Sequence, residues 1–446
     1  MKILFLTHYF PPEVNAPASR TFEHCSRWLR AGHDVTVITC TPNCPNGVAF
    51  DGHSNSLLPR KEKIDGIKVV RVWSYLTPNR GVRRRILNYL SYAAMAVVVG
   101  LRVERPDVVV ATSPQFFCGW AGVFIKWLRG IPLVLEIRDI WPESIRAVGA
   151  MRNKWLIRIL EKLEQWMYRA ATRIVTVGKG YQKNIFSKVG AIVPVSVISN
   201  GVDLERFQPQ QRDTKLVAEW NLADRFVCSY IGTIGMAHGL DVVVSAASII
   251  RDMGRTDICF CLVGDGAESK RLRELVTSED LGNYVVFPGR TPRAEIPSIL
   301  SVTDVSLIHL KSCKLFDSVI PSKVFESMAA GRPILMGVGG DALDIVNDAG
   351  AGVPMQPDSA ESLVNCLIDL ADDREKCRSL GKAGRRYVEQ HFDRNLLADR
   401  MLAILETECG FSDESRQADA CSNASLDEAT TDSDSVAEES TIQPST

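Results

Sequence analysis

Short runs of hydrophobic, mostly β-branched residues alternate with longer amphipathic stretches along most of the chain. Short apolar runs bounded by polar turns are typical of buried strands, and the stretches between them have the length of helices. This alternation predicts parallel sheets covered by helices on both faces. The first series of predicted strands is Ile3–Thr7, Asp34–Thr39, Ile67–Val72, Val108–Ala111, Leu133–Ile137, Arg173–Val177 and Val195–Ile198.

A second series of strand-like runs begins after Pro209. Two series predict two doubly wound α/β domains, which we place at residues 1–200 and 201–390. The joint falls near Ser199–Phe207, because Asn-Gly and the following Gln-Pro-Gln are typical of turns and linkers. The strands predicted in the second domain are Phe226–Ile231, Ile258–Val263, Tyr284–Phe287, Val305–Leu310 and Pro333–Gly337.

The sequence changes character near its end. Residues 391–410 predict a helix capped by Asp393, and we expect its apolar side to pack back on the N-terminal domain. Residues 411–446 are rich in Ser, Thr, Asp and Glu, which predicts a disordered acidic tail.

The formal net charge of -1 conceals an uneven distribution of charge. Residues 411–446 hold nine acids and one base, so the rest of the chain carries a net charge of +7. A mildly basic body suits anionic ligands such as phosphates or anionic lipid and does not require nucleic acid. The twelve cysteines include no C-x-x-C pair, and the N-terminus predicts a first strand rather than a secretory signal. We therefore expect a reducing, cytoplasmic location.

The segment Ile86–Leu101 is a stretch of sixteen mostly apolar residues, preceded by Arg80, Arg83, Arg84 and Arg85. It is shorter than the roughly 20 residues that a spanning helix needs. Two interpretations stay open. The segment is a core helix with a solvated basic start, or an interfacial helix that lies on an anionic membrane.

Glycines follow three of the predicted strands in the second domain. Gly232 and Gly235 precede a helical run, Gly264 and Gly266 follow the next strand, and Gly289 follows a third. Such turns let backbone N–H groups approach a phosphate, and ligands of open α/β sheets bind beyond the carboxyl ends of the strands. A purely structural turn explains any one of them equally well, but the three together favour a binding site.

The segment from Phe316 to Pro333 carries the most specific pattern. Its predicted helix places Lys323 and Glu326 in the first turn and ends at Gly331. A carboxylate there can accept both hydroxyls of a ribose, and the lysine can neutralise a phosphate. Taken without their surroundings, the two residues are an ordinary surface pair spaced by three.

With these motifs the chain resembles glycosyltransferase family 4, over about residues 1–408, and in particular its WbuB-like subgroup of bacterial capsule and O-antigen sugar transferases. The segments that carry the resemblance are Tyr9–Glu13, Gly32–Thr39, Asp139–Glu143, Val197–Asp203, Gly264–Gly266 and Pro321–Gly331.

The resemblance implies the GT-B fold, in which two Rossmann-like domains with parallel sheets face each other across a cleft. It implies a retaining, metal-independent transfer of a hexosyl or N-acetylhexosaminyl group in polysaccharide biosynthesis. The donor is a nucleotide sugar, with a UDP-sugar expected first, and the acceptor is a lipid-linked glycan. No other cofactor is implied. With the basic segment before residue 86, it favours a cytoplasmic enzyme held peripherally at the inner face of the cytoplasmic membrane.

The resemblance also implies roles for individual residues. Catalytic roles fall on Glu326, Lys323, Asp139 and Arg138, and acceptor contacts on Glu13, Asn15, Arg138 and Asp139. Membrane contact is expected at Arg83, Arg84 and Arg85, and no residue is assigned to a metal. The donor-binding residues are Gly232, Thr233, Gly235, His238, Gly264, Asp265, Gly266, Phe287, Gly289, Arg290, Ser322, Lys323 and Glu326.

The chain departs from the family pattern at several of these positions. Ser318, beside Asp317, stands where many members have a first Glu, eight residues before Glu326. Thr233 and His238 replace the usual Arg and Lys of the first C-terminal loop. Other departures are Arg138-Asp139 in place of a His and Asn15-Ala16 in place of a glycine-rich loop.

These departures leave alternatives open. One is a GT-B-fold nucleotide-sugar epimerase, which needs no acceptor. Another is a catalytically silent subunit that binds a nucleotide sugar or a glycan. The shared motifs do not select the sugar, the acceptor or the linkage, because those depend on the shape of the pocket.

Overall fold

The computed structural model describes residues 1–78, 82–113, 115–144 and 153–411. The expected acidic tail lies outside the described residues except for Phe411, as do Arg80 and the side chain of Arg83. Within the described residues the chain forms two open sheets, one in each half.

The N-terminal sheet has the strand order β3-β4-β2-β1-β5-β6-β7-β8, and every pair is parallel except β3 with β4. Its strands are β1 Lys2–Leu6, β2 Asp34–Cys40, β3 Arg60–Ile64, β4 Ile67–Val72, β5 Val108–Thr112, β6 Leu133–Ile137, β7 Arg173–Thr176 and β8 Val195–Val197. The described helices between them are α1 Ala16–Arg30, α2 Val82–Gly100, α3 Phe116–Arg129, α4 Lys154–Ala170 and α5 Lys179–Val189.

The C-terminal sheet is parallel throughout, in the order β11-β10-β9-β12-β13-β14. Its strands are β9 Phe226–Ile231, β10 Ile258–Val263, β11 Val285–Gly289, β12 Val305–His309, β13 Ile334–Gly337 and β14 Gly352–Pro354. The helices that follow β8 are α6 Thr214–Glu219, α7 Asp241–Asp252, α8 Ser269–Ser278, α9 Ile296–Val302, α10 Lys323–Ala329, α11 Gly340–Asp348, α12 Ala360–Asp372, α13 Arg374–His391 and α14 Arg394–Cys409.

Side chains of the strands alternate between two hydrophobic layers. In β1, Leu4 and Leu6 pack in one buried cluster, whereas Ile3 and Phe5 pack in another on the opposite face of the sheet. Helices therefore cover both faces, and the prediction of two doubly wound α/β domains is confirmed.

The twelve predicted strands are all present, and none of their ends moves by more than two residues. Two short strands were not predicted. The sequence of β3, Arg-Lys-Glu-Lys-Ile, has no apolar alternation because it is an exposed antiparallel edge. The strand β14 is only three residues long and also lies at an edge.

Helix α14 returns to the N-terminal domain and packs on α1. Leu397, Met401 and Leu405 are buried in the same cluster as the side chains of β1. The indole N–H of Trp28 donates to the carbonyl oxygen of Ala398 at 3.0 Å. The last helix thus ties the end of the chain to the first domain.

We predict that Leu405→Ala lowers the free energy of unfolding by about 2–5 kcal/mol, because it leaves a cavity in the core of the N-terminal domain. Urea unfolding followed by circular dichroism measures the loss. Arg400→Ala, on the exposed side of α14, is the matched control and is expected to change little. An equal effect of the two variants would contradict the packing described above.

Candidate active site

A cavity of about 460 Å³ lies between the two domains, at the carboxyl ends of their strands. Its wall on the N-terminal side comes from α1, the residue after β6 and the linker after β8. Its C-terminal wall comes from the loop after β9 and from the start of α10. The charged and polar residues in this lining are Ser19, Arg20, Glu23, His24, Arg138, Asn200, Thr233, His238, Arg293, Ser322, Lys323, Glu326 and Arg394.

The three glycine turns of the C-terminal domain are hydrogen-bonded to one another. The N–H of Gly232 donates to the carbonyl of Val263 at 2.9 Å, and the N–H of Gly264 donates to Gly289 at 2.9 Å. A side-chain carbon on Gly264 would overlap the carbonyl oxygen of Gly232. The floor of the site is therefore built from closely packed backbone, which only glycine permits here.

Lys323 lies directly beneath the first of these turns. Its ammonium is 3.7 Å from the centre of the Tyr230 ring, and a Cβ on Gly232 would come within 3.0 Å of it. Burial lowers the pKa of Lys323 to about 7, although Glu326 opposes the shift. The site thus holds an enclosed amine whose protonated form an anionic ligand would stabilise.

Glu326 lines the same cavity and faces Arg293. The distance from Nη2 of Arg293 to Oε1 of Glu326 is 3.9 Å. Nη1 of Arg293 also reaches Oγ of Ser19 in α1 at 3.5 Å. Arg293 therefore spans the cleft between a carboxylate of one domain and a hydroxyl of the other.

His238 forms another part of the donor-side wall. Burial, together with the nearby Lys323, lowers its pKa to about 4, so the imidazole is neutral near pH 7. Its backbone carbonyl is 2.7 Å from Nδ1 of His309, whose Nε2 accepts from the N–H of Asp358 at 3.0 Å. His309 consequently holds two loops together by donating from Nδ1.

The N-terminal wall is organised by a buried ion pair. Nε of Arg20 lies 2.9 Å from Oε1 of Glu136, and both side chains are almost fully buried. The same guanidinium donates to the carbonyls of Ile198 and Ser199 at 3.0 and 2.8 Å. Burial alone would raise the pKa of Glu136, but Arg20 and Arg138 hold it at about 2. One arginine thus connects α1, β6 and the start of the linker.

Arg138 is the second arginine at this carboxylate. Burial lowers its pKa to about 10, which leaves it charged near pH 7. Its Nε and Nη1 atoms are buried and donate to no acceptor among the described residues. A buried guanidinium with free N–H donors that lines a cavity is suited to an anionic or strongly polar ligand.

A second cavity, of about 450 Å³, adjoins the first and shares Gly232 and Thr233 with it. Among its other lining residues are Gly264, Asp265, Gly266, Arg290 and Thr291. The two cavities together form one elongated groove over the carboxyl edge of the C-terminal sheet.

Six of the catalytic, donor-binding and acceptor residues assigned from the resemblance line neither part of this groove. Gly235 lies in the loop after β9, and Phe287 and Gly289 lie in β11. Asn15 caps α1 by accepting from the N–H of Ala18 at 2.9 Å. The roles proposed for these residues, and for Glu13 and Asp139, stay predictions.

Glu13 and Asp139 each have a different environment. The carboxylate of Glu13 accepts from the N–H groups of Asn43 and Cys44 at 3.0 and 2.9 Å, so it holds a loop of the N-terminal domain. Asp139 lines a separate small cavity, where burial raises its pKa. Ser318 also lies outside the groove, next to the backbone of Gly180 in the other domain.

Several residues in the lining were not predicted: Ser19, Arg20, Glu23, His24, Asn200, Arg293 and Arg394. A signal for two of them is present in the sequence. Arg20 and His24 lie on the side of α1 that buries Cys25 and Trp28, and a charged residue on an apolar face indicates a specific partner. Arg293 and Arg394 follow from the tertiary structure alone.

Within the ranges that the structure describes, no three His, Cys, Asp or Glu side chains come together as metal ligands. The metal-independent reaction stays a prediction.

Comparison with known proteins identifies both halves of the chain. Residues 16–201 match the family model of the glycosyl transferase 4-like domain, and residues 213–387 match that of the glycosyl transferases group 1. The chain is 25% identical to WbjE of Pseudomonas aeruginosa, described as a glycosyltransferase, over 73% of this chain and 81% of that protein. It is 26% identical to WcaI of Escherichia coli K12, described as a colanic acid biosynthesis glycosyl transferase, over 82% of this chain and 90% of that protein.

The fold is also found in solved structures. Anabaena HepE, crystallised in complex with UDP, superposes with a TM-score of 0.67 and 18% identity, covering 91% of this chain and all of HepE. Identity at this level shows a shared fold.

We predict that Glu136→Gln lowers the free energy of unfolding at pH 7 by about 3–5 kcal/mol, because it leaves Arg20 and Arg138 buried without a counter-charge. The folded-state pKa of Glu136 lies below its unfolded value, so its contribution to stability is present above pH 4.5 and disappears as the pH falls towards 2.

Urea unfolding at several pH values measures this loss. Asp34→Asn, which breaks an exposed ion pair with Lys68, is the matched control and is expected to change stability little. A Glu136→Gln protein as stable as the wild type would contradict the role given to this pair.

Proposed function

The chain belongs to the glycosyltransferases that join a 4-like N-terminal domain to a group 1 C-terminal domain and has their GT-B fold, and on that basis we propose the following reaction. The enzyme moves a sugar from a nucleotide-diphosphate sugar to a hydroxyl group of a lipid-linked glycan, with retention of the anomeric configuration and without a metal. The observation that carries this proposal is the groove between the domains, with Lys323 beneath its glycine turn and Glu326 beside it.

The donor diphosphate would lie over the turn after β9. Backbone N–H groups near Gly232 and the ammonium of Lys323 are the groups that can bind its oxygens there. Glu326 is the carboxylate that interacts with Lys323, and it also faces Arg293, so a bound diphosphate would be the main counter-charge of Lys323 and would raise its pKa towards the ordinary value. The UDP complex of HepE, which has the same fold, supports a UDP-sugar as the first donor to test.

The nucleoside would extend along the groove into the second cavity. Glu326, which lines the cavity that holds the diphosphate, can accept hydrogen bonds from both ribose hydroxyls. The base would lie near Gly264–Gly266 and Arg290. The two adjoining cavities can therefore accommodate a nucleotide, with the sugar placed in the cavity between the domains.

The sugar would then face the N-terminal wall. Arg138 has free donors in this cavity, and Arg293 reaches across it, so both can hold sugar hydroxyls or the departing phosphate. Fixed cations that stabilise a departing diphosphate are worth about 3 kcal/mol each in the transition state. The two carboxylates of the lining, Glu23 and Glu326, each face an arginine. We therefore assign removal of the acceptor proton to an oxygen of the departing phosphate.

The acceptor and the pathway rest on the relatives. WcaI is described as acting in the synthesis of colanic acid, a polysaccharide. We accordingly place this enzyme in polysaccharide biosynthesis, on the cytoplasmic side of the membrane where nucleotide sugars are made.

The first prediction from this proposal concerns donor binding. One member of a panel of UDP-, GDP-, ADP- and dTDP-sugars should raise the melting temperature of the wild type, and Glu326→Gln should bind it about 10–100-fold more weakly, because charged hydrogen bonds to the ribose are lost. Thermal shift and native mass spectrometry measure the binding. Glu361→Gln, at an exposed position of α12, is the matched control.

Product analysis distinguishes the alternatives. Incubation with the donor alone should give no epimerised nucleotide sugar, and NMR of the product formed with a glycan acceptor should show the anomeric configuration of the donor. Formation of an epimerised donor would favour the epimerase hypothesis over the transferase hypothesis. Binding without turnover for every acceptor tested would favour a silent subunit.

The second prediction concerns protons. The pKa of Lys323 is about 7 in the free protein and should rise when a diphosphate binds. Donor binding at about pH 8 should therefore take up nearly one proton, and donor affinity should fall as the pH rises above 7.

Titration calorimetry in buffers of different ionisation enthalpy counts the protons. Lys323→Met should abolish the uptake, and Lys382→Met, an exposed lysine of α13, should leave it unchanged. Equal proton uptake by the wild type and Lys323→Met would show that another group binds the proton.

A further inference from the structure

Three neighbouring helices of the N-terminal domain expose large apolar side chains. On α3 and α4, Trp127, Trp155 and Trp166 are 58%, 69% and 59% exposed. We call the exposed apolar side chains of α2, α3 and α4 the tryptophan face. Its other exposed members are Leu87, Leu90, Val98, Phe124, Leu128 and Leu156.

Apolar side chains of the three helices meet in one groove. A groove of about 380 Å³ runs between them, with Leu90 from α2, Phe124 from α3 and Leu163 from α4 in its lining. Trp120, Phe124 and Trp127 form a cluster of rings whose centres lie 5.8 to 6.4 Å apart. Monomeric soluble proteins rarely expose a contiguous apolar surface of this kind without a partner.

Helix α2 has one buried side and one exposed apolar side. Tyr92, Ala96 and Val99 are buried in the core, whereas Leu87 and Leu90 face outward. The core interpretation is therefore confirmed for the inner side of the helix, and the interfacial interpretation stays a prediction for its exposed side. Of the helices that the structure describes, none is long and apolar enough to cross a bilayer.

The charged residues of these helices are mostly basic. The segments of α2, α3 and α4 contain nine arginines and lysines but only two acids, Glu161 and Glu164. Glu164 is buried and bound by Lys188 at 2.8 Å, so Glu161 is the acid left near the surface. The net charge of +7 on the three helices equals that of the whole chain without its tail.

The tryptophan face also reaches the edge of the domain that carries the cleft. Helix α3 begins just after β5, at the carboxyl edge of the sheet. Phe117 contributes to the groove and packs edge-on against Trp141, which follows β6 at that same edge. A molecule anchored on this face would therefore lie beside the opening of the cleft.

We propose that the tryptophan face docks the enzyme on the surface of an anionic lipid bilayer. Tryptophan rings favour the boundary between lipid headgroups and acyl chains, and each nearby Lys or Arg adds attraction to anionic lipid. A second copy of the chain is a poorer partner, because two surfaces of the same strong positive charge would meet. The proposal extends the membrane contact expected at Arg83–Arg85 to three helices and makes their aromatic side chains its main anchor.

Flotation of the purified full-length protein with vesicles tests this proposal. The wild type should float with phosphatidylcholine vesicles that contain phosphatidylglycerol and bind pure phosphatidylcholine at least about tenfold more weakly. The triple variant Trp127→Gln/Trp155→Gln/Trp166→Gln should lose at least about tenfold in partitioning onto the anionic vesicles. Arg158→Glu/Lys162→Glu lowers the net charge of the three helices from +7 to +3, so it should weaken binding to a similar extent and make it less sensitive to salt.

A matched control removes equally exposed apolar side chains elsewhere. Leu58→Gln/Ile192→Gln/Met253→Gln should float like the wild type. Circular dichroism and donor binding, measured on every variant, report folding and the donor site independently of the membrane. Quenching of tryptophan fluorescence by brominated lipid in the wild type, reduced in the triple variant, would support the proposal.

Two results would overturn it. One is a wild type that remains unbound to anionic vesicles at low salt. The other is a concentration-dependent dimer that the tryptophan substitutions dissociate, which would make this face an interface between two copies of the chain.

Discussion

The ion pair between Arg20 and Glu136 is the interaction on which the cleft depends. It is buried where three parts of the N-terminal domain meet, and the same arginine binds the carbonyls of Ile198 and Ser199 at the start of the linker. Because an isolated buried charge is costly, Arg20, Glu136 and Arg138 must be placed together. The pair thereby fixes both the wall that carries Arg138 and the point at which the chain leaves the first domain.

The opposite wall has the complementary construction. There, backbone turns rather than side chains make the closest contacts, and glycines at 232 and 264 allow them. Lys323 lies beneath this backbone with its charge incompletely compensated. Cations thus border the cavity from both domains, and a diphosphate between them would bring the two walls together and exclude water, as a transfer reaction that competes with hydrolysis requires.

The sequence predicted most of the fold because buried parallel strands are marked by continuous apolar runs. The edge strand β3 has no such run, since it lies at an edge and none of its side chains is fully buried. In the site, the sequence predicted those residues whose positions depend on local backbone, such as the glycine turns and the Lys323–Glu326 pair of α10. Arg293 and Arg394 reach the cavity from segments distant in sequence, and the tryptophan face exists only after three helices assemble. Their positions depend on tertiary packing, which local sequence patterns do not predict.

A crystal structure of the protein with its nucleoside diphosphate tests the central claim most directly. The account predicts that the diphosphate oxygens lie within about 3.2 Å of Nζ of Lys323 and of backbone N–H groups in the turn after β9. It also predicts that the ribose hydroxyls contact Glu326 and that the terminal phosphate group faces Arg138. A diphosphate bound outside this groove, with Lys323 and Glu326 untouched, would contradict it.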